Sequence, residues 1–327
     1  MDHDRDQSAR RGMASATYTA FERMFDAVAE RWAGDAGRHE MMVEALTATG
    51  DYRVLRRLRT PTPLDRLPDG ARLGIVLDVE TTGIDAAADE IIELAMVPFA
   101  YTIDGQVLGT LAPFHSYRQP KTPIPEEITA LTGITDEMVA GQAIDAEAVA
   151  AFIANAGIVI AHNARFDRRF VERSWGCFAD IAWGCSMAQV DWRAEGFEGT
   201  KLGYLLAGIG FFHDGHRATD DCHATIALLG ATLPSGSTGL DALLRCARAP
   251  SWIIHAEHAP FERKDLLKRR GYSWSGNDGT PPKCWWREVP SDQLDAERAY
   301  LNDRVYLYEA DPPVRRVTAW ERFSDRL

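Results

Sequence analysis

The 327-residue chain is 46% hydrophobic and can bury a core for one large domain or for two. It has no uninterrupted apolar run able to span a bilayer, and its opening MDHDRDQSARRG lacks a signal peptide's apolar stretch, so no membrane association and a cytoplasmic location are expected. Five scattered cysteines without CxxC spacing point to reduced thiols and away from a zinc site.

The net charge of −12 is unevenly spread: residues 1–244 carry 21 Lys and Arg against 35 Asp and Glu, residues 245–327 carry 15 against 13. Divalent cations held by the acidic part would reverse the field a phosphate meets, so net charge does not exclude nucleic acid.

Along the chain, residues 14–58 read as an amphipathic helical hairpin, with Phe21, Met24, Phe25, Val28 and Trp32 spaced by three or four. It belongs to an N-terminal helical extension, 1–60. TPTPLDRLPDG has the Pro/Gly punctuation of a linker, 61–71. From residue 72 the pattern alternates. Strands are expected at 72–80, 90–101 and 106–117, two short helices within 123–141, a longer one at 145–156, and a buried strand at 157–163 running into helix 164–175. A short strand near 180–186 and helices near 200–208 and 218–230 complete a domain ending at 232. A meander followed by βαβ units suggests an α/β fold, a mixed sheet with packed helices. LPSGSTG opens a second linker, 233–250, before a basic, Trp-rich module, 251–327.

Three segments place acids where elements begin or end. In RLGIVLDVETTG, Asp78 and Glu80 share one strand face. In AHNARFDRRF a strand gives way to a helix carrying Asp167. In HRATDDCHAT, His216 precedes a helix with Asp220 and Asp221. A buried acid after GIVL is costly without a partner. His162, beside the second segment, reads as a structural hydrogen-bonding residue.

Together, LDVETTG, AHNARFD and HRATDD resemble the three motifs of the DEDDh-type 3′–5′ exonuclease superfamily, which includes the proofreading epsilon subunit of bacterial replicative DNA polymerase. The resemblance covers about residues 72–232 and implies a ribonuclease-H-like mixed sheet with flanking helices. It implies two divalent cations, Mg2+ or Mn2+, as cofactors, with Asp78, Glu80 and Asp221 as direct ligands and Asp78 between the ions. Asp167 would complete the second ion's shell. His216 would be the general base, since imidazole titrates near neutrality. The family spacing from His216 selects Asp221 over Asp220. Such an enzyme hydrolyses phosphodiester bonds at single-stranded or frayed 3′ ends of DNA and releases nucleoside 5′-monophosphates. An exoribonuclease, and a non-catalytic nucleic-acid-binding or polymerase-associated protein, are the alternatives.

The resemblance also lays Thr81, Thr82 and Gly83 against the terminal nucleotide, with Leu131 and Thr132 flanking its base and Phe166 lining the cleft. Core packing is the alternative for Leu131 and Phe166. In the basic module, Lys268, Arg269 and Arg270 on a helix and the aromatics Tyr272, Trp274, Trp285 and Trp286 around a hairpin fit nucleic-acid contacts or a small-domain core. A DNA polymerase or repair partner is possible on the same resemblance.

Overall fold

A computed structural model describes residues 36–215, 217–275 and 283–326. The chain divides into two units, Met1–Arg56 and Arg57–Leu327. In the described part of the first, a helix spans Ala36–Ala48 and Glu40 pairs with Arg56. The apolar stripe from Phe21 to Trp32 lies outside the described residues.

In the second unit RLGIVLDVET forms β1 (Arg72–Thr81), antiparallel to β2 (Ile91–Tyr101). β2 is buried along its whole length, as a strand covered on both faces must be. Its other edge pairs antiparallel with β3 (Val107–Thr110) and β4 (Phe114–Tyr117). The single strand expected over 106–117 is therefore two. Pro113 has no N–H with which to continue a ladder, and the Leu111 N–H turns to the Pro98 carbonyl at 2.8 Å.

Helices α1 (Glu126–Thr132), α2 (Asp136–Val139) and α3 (Ala146–Ile153) lead to β5 (Ile158–Ala161), parallel to β1. Helix α4 (Ala164–Ser174) crosses to a parallel edge strand, β6 (Trp183–Cys185). The order β3-β2-β1-β5-β6, with β4 also on β2, makes a ribonuclease-H-like mixed sheet. Helices α5 (Leu202–Gly208), α6 (Ala218–Gly230) and α7 (Gly239–Arg248) follow.

The period of two divides β1 between layers. Ile75, Leu77 and Val79 pack with Ile153 of α3 and Phe170 and Val171 of α4. Val76 packs instead with Cys222 and Ile226 of α6 and Leu243 of α7. Asp78 and Glu80 continue the Val76 row and so face the layer of α6.

Helix α7 falls inside the stretch read as a linker. Its Ser/Gly punctuation is a helix start: Thr238 Oγ1 accepts the Asp241 N–H at 3.0 Å, and Leu240, Leu243, Leu244 and Ala247 are buried beside α6.

The basic segment holds β7 (Ser251–Ala256), α8 (Lys264–Arg269), β8 (Ser273–Trp274), β9 (Trp285–Pro290), α9 (Leu294–Tyr300) and β10 (Val314–Val317). The strands form an antiparallel sheet in the order β8-β9-β7-β10. Ile254, Leu267, Tyr272, Leu301 and Val305 form its core. The chain's last residues return to the α/β layers. The Trp183 N–H on the edge strand donates to the Ala319 carbonyl at 2.7 Å. Fully buried Arg168 of α4 donates to the Trp320 and Arg322 carbonyls, both at 2.7 Å. Arg322 in turn meets Glu288 of β9 at 2.7 Å. These bonds fix α4, the helix that carries Asp167. Among the described residues no helix is long and apolar enough to cross a membrane, and none of the five cysteines forms a disulfide.

Candidate metal-dependent active site

Three side chains from two elements converge at the end of β1. Oxygens of Asp78, Glu80 and Asp221 all lie within 4.8 Å of one another. Strand alternation places the first two together, and packing of α6 on β1 and β2 brings Asp221 over them. Asp220, its neighbour, is exposed to solvent.

Asp167, which is not one of these three, approaches β1 from α4. Asn163 adopts a left-handed conformation (φ 80°) that Asn tolerates better than most residues. This turn sets α4 directly after β5, with Asp167 in its first turn. Parallel pairing of β1 with β5 ends at Val76 and Ile160. Beyond it the Val79 N–H donates to Asp167 Oδ1 at 3.3 Å, so the carboxylate takes a position the ladder has vacated.

The electrostatics are those of a site built for positive charge. Burial first, then the charges of Asp167, Asp221, Glu80 and Glu93, push the Asp78 carboxyl well above the usual carboxylate range. Burial, Glu93 and Asp221 push Glu80 up to about 7. Burial pushes Asp167 up to about 8, although the amides of Asp167 and Val79 favour its charged form. Oxygen-only donors of this charge suit hard divalent cations, which would relieve the repulsion.

Two residues of the site were not among those singled out from sequence. His213 Nε2 is hydrogen-bonded to Asp221 Oδ1 at 2.7 Å, while the Arg217 N–H donates to Oδ2 at 3.2 Å. Glu93, 2% exposed, meets His115 Nε2 at 2.6 Å and accepts the Ala218 N–H at 3.4 Å. Glu93 was detectable as the one charge in the otherwise apolar IIELAMVPFAY. His213 had only its place in the HDGH loop to mark it. His216 itself lies outside the described residues.

Thr81 and Thr82 are buried beside the acids, and Thr81 Oγ1 donates to the Gly83 carbonyl at 2.5 Å. At Gly83 a Cβ would stand 2.5 Å from Asp89 Oδ2, which accepts the Asp85 N–H at 2.8 Å, so any side chain here would have to displace that carboxylate. Leu131 is 52% exposed, whereas Thr132 is buried, its Oγ1 donating to the Ile128 carbonyl at 2.9 Å and accepting the Ile134 N–H at 3.1 Å. Phe166 is half-buried against Phe170, ring centroids 5.0 Å apart. His162 is bonded through both nitrogens, to Ser186 Oγ and the Thr200 carbonyl, each at 2.8 Å. Lys268 and Arg269 are exposed. Arg270 is committed within the module, its guanidinium 3.0 Å from buried Glu297, which Arg287 and the Tyr272 hydroxyl also reach at 3.0 Å.

Residues 75–229 match the family model RNase_T, described as an exonuclease. A PolC-type DNA polymerase III of Clostridium perfringens is 32% identical over 161 residues, 47% of this chain and 11% of that protein. A DNA polymerase III subunit epsilon-like protein of Rhodobacter capsulatus is 38% identical over 117 residues, 34% of this chain and 15% of that protein. The chain thus spans a small part of the length of these relatives. Among solved structures, exonuclease X in complex with 5′ overhanging duplex DNA is 26% identical (TM-score 0.36, 51% of this chain, 99% of that chain). E. coli exonuclease I in complex with a dA16 oligonucleotide is 16% identical (TM-score 0.42, 67% and 63%).

Proposed function

We propose, on the premise that residues 75–229 are a domain of the exonuclease family, that this chain is a metal-dependent 3′–5′ exonuclease acting on DNA. The observation that carries the reading is the convergence of Asp78, Glu80 and Asp221 within 4.8 Å, with Asp167 held against the Val79 amide. The three carboxylates would hold divalent cations, Mg2+ or Mn2+, and Asp167 would complete the set. Bound there, the cations would supply positive charge to the scissile phosphate and to the leaving 3′ oxygen.

The chain's own residues do the rest. His213 and the Arg217 amide fix both oxygens of Asp221, leaving the carboxylate one orientation. His216, five residues before Asp221 in sequence, accepts the proton of the attacking water. The water oxygen bonds to phosphorus, the bond to the 3′ oxygen breaks, that oxygen takes up a proton from solvent as the new 3′ hydroxyl, and a nucleoside 5′-monophosphate leaves. Exposed Leu131 flanks the terminal base, with Thr81 to Gly83 as the floor beneath it; apolar contact of this kind does not read base identity. DNA is favoured over RNA by the polymerase relatives, which also make a DNA polymerase or repair partner the natural association.

Labelled DNA and RNA oligonucleotides incubated with Mg2+ or Mn2+ test the reading. Stepwise shortening from the 3′ end with mononucleotide release, on DNA and in the presence of metal only, is expected. Binding without release under either metal would overturn it.

A further inference from the structure

The basic module carries a groove of about 660 Å³ that takes no part in the acid site. Its walls are aromatic: Phe261 is 73% exposed and Trp274 44%, and Trp274 stands 5.5 Å from Trp285, ring centroid to centroid. Single exposed apolar side chains are ordinary, but a group of them around one groove marks a binding surface. Two cations line the same groove. Lys264 Nζ lies 4.0 Å from the Phe261 ring centroid and Lys268 Nζ 6.0 Å from that of Trp285. Its lining contains no carboxylate among the described residues. Open aromatic faces beside ammonium groups match a chain of stacked bases with a phosphate backbone. An apolar peptide would have no use for the lysines.

The groove is fastened to the catalytic layers. On the strand that carries Trp285, the adjacent Trp286 ring is covered by Arg165 of α4, its guanidinium carbon 5.0 Å from the ring centroid. Arg165 is two residues from Asp167.

We infer that this groove is a second binding site for single-stranded DNA, holding by base stacking and phosphate contact a part of the strand whose 3′ end is in the acid site. The inference rests on the nuclease reading for the choice of strand. It predicts that affinity grows with strand length beyond what the acid site engages.

Fluorescence anisotropy of labelled thymidine oligonucleotides, about 20 and about 4 nucleotides long, with the full chain in EDTA tests this. The intact chain should prefer the longer strand. Phe261→Ala and Trp274→Ala, both at exposed positions, should each weaken the longer strand roughly tenfold and reduce that preference, since losing one stacked base has an effect of this order. Trp274→Phe should restore most of it. Lys264→Ala and Lys268→Ala should each flatten the salt dependence by about 0.7 in log–log slope. No binding of the longer strand by the intact chain, or equal affinity and salt slope in all variants, would overturn the inference. So would unchanged DNA binding with an altered oligomeric state in Trp274→Ala, which would assign the groove to a second copy. Because EDTA prevents hydrolysis, a chain that fails to cleave DNA refutes the nuclease reading without touching this result.

Discussion

Glu80 of β1 stands directly opposite Glu93 of β2 in the antiparallel register, and the ladder shifts immediately after this pair. A bulge at this point ends regular pairing where the site begins. Glu93 is not a further free acid, because His115 and the Ala218 amide take its two oxygens. It therefore ties β2 to the first turn of α6, the helix that carries Asp221. Glu93→Ala should destabilise the fold by about 1–3 kcal/mol, as expected when buried donors lose their acceptor. It should also raise the Mn2+ concentration needed for half-maximal cleavage. Glu93→Gln, which keeps an acceptor, should recover most of the stability. Denaturant unfolding and metal titration of activity check both.

The raised carboxyls give a pH dependence of defined sign. An acid whose folded pKa lies above its unfolded value holds its proton more tightly in the native state, so stability falls as pH rises between the two. For Glu80 the window runs from 4.5 to about 7, and for Asp167 from 3.8 to about 8. Metal-free protein should therefore melt at progressively lower temperature from pH 5 to pH 8. Mn2+ at pH 8 should reverse most of the loss. Asp78→Asn should flatten the metal-free profile and abolish both cleavage and the Mn2+ effect. Calorimetry with and without EDTA provides the measurement; a profile rising with pH would refute the charge balance described for the site.

The acids on β1 were legible because strand alternation fixes which residues share a face, and the apolar run before Asp78 marked the strand as buried. The sheet's mixed topology followed from the same alternation of elements. What sequence did not reveal depends on contacts between distant segments. Arg168 looked like one of several helix charges, yet it is fully buried and bonded to carbonyls more than 150 positions away. Likewise α7 was hidden by its own cap: Ser, Gly and Thr serve linkers and helix starts alike, and only the buried face of Leu240, Leu243, Leu244 and Ala247 separates the two. The approach of the Asp89 carboxylate to Gly83, within 2.5 Å of where a Cβ would stand, is likewise a contact that no local pattern announces.

Leu131 and Thr132 should separate under substitution although they are adjacent. Leu131 is half-exposed on α1, so Leu131→Ala should change stability by no more than about 0.5 kcal/mol. If its side chain flanks the terminal base, kcat/KM on DNA should fall roughly tenfold. Thr132 closes the end of α1 through two bonds to the backbone. Thr132→Ala should instead cost about 1–2 kcal/mol of stability. Equal effects of the two on kcat/KM, at equal stability, would remove the distinction.

Arg269 and Arg270, neighbours in sequence, should behave as differently. The Arg270 guanidinium sits 3.0 Å from Glu297 and its carbon lies 4.3 Å from the centre of the Tyr300 ring. Glu297 is 3% exposed and also holds Arg287 and Tyr272. Removing the shared partner by Glu297→Ala leaves both arginines and a buried hydroxyl without their acceptor, and should destabilise the module by about 3 kcal/mol. Arg270→Ala should cost less, because Arg287 still neutralises the carboxylate. Arg269 is exposed, and its Nε donates to the Asp265 carbonyl one turn back at 3.2 Å. Arg269→Ala should therefore leave stability within about 0.5 kcal/mol and, where the helix meets the DNA backbone, reduce the salt slope of binding by about 0.7. Urea unfolding followed by tryptophan fluorescence, beside binding at several salt concentrations, reads the two quantities separately. A salt slope altered by Arg270→Ala at unchanged stability would move the phosphate contact from Arg269 to Arg270.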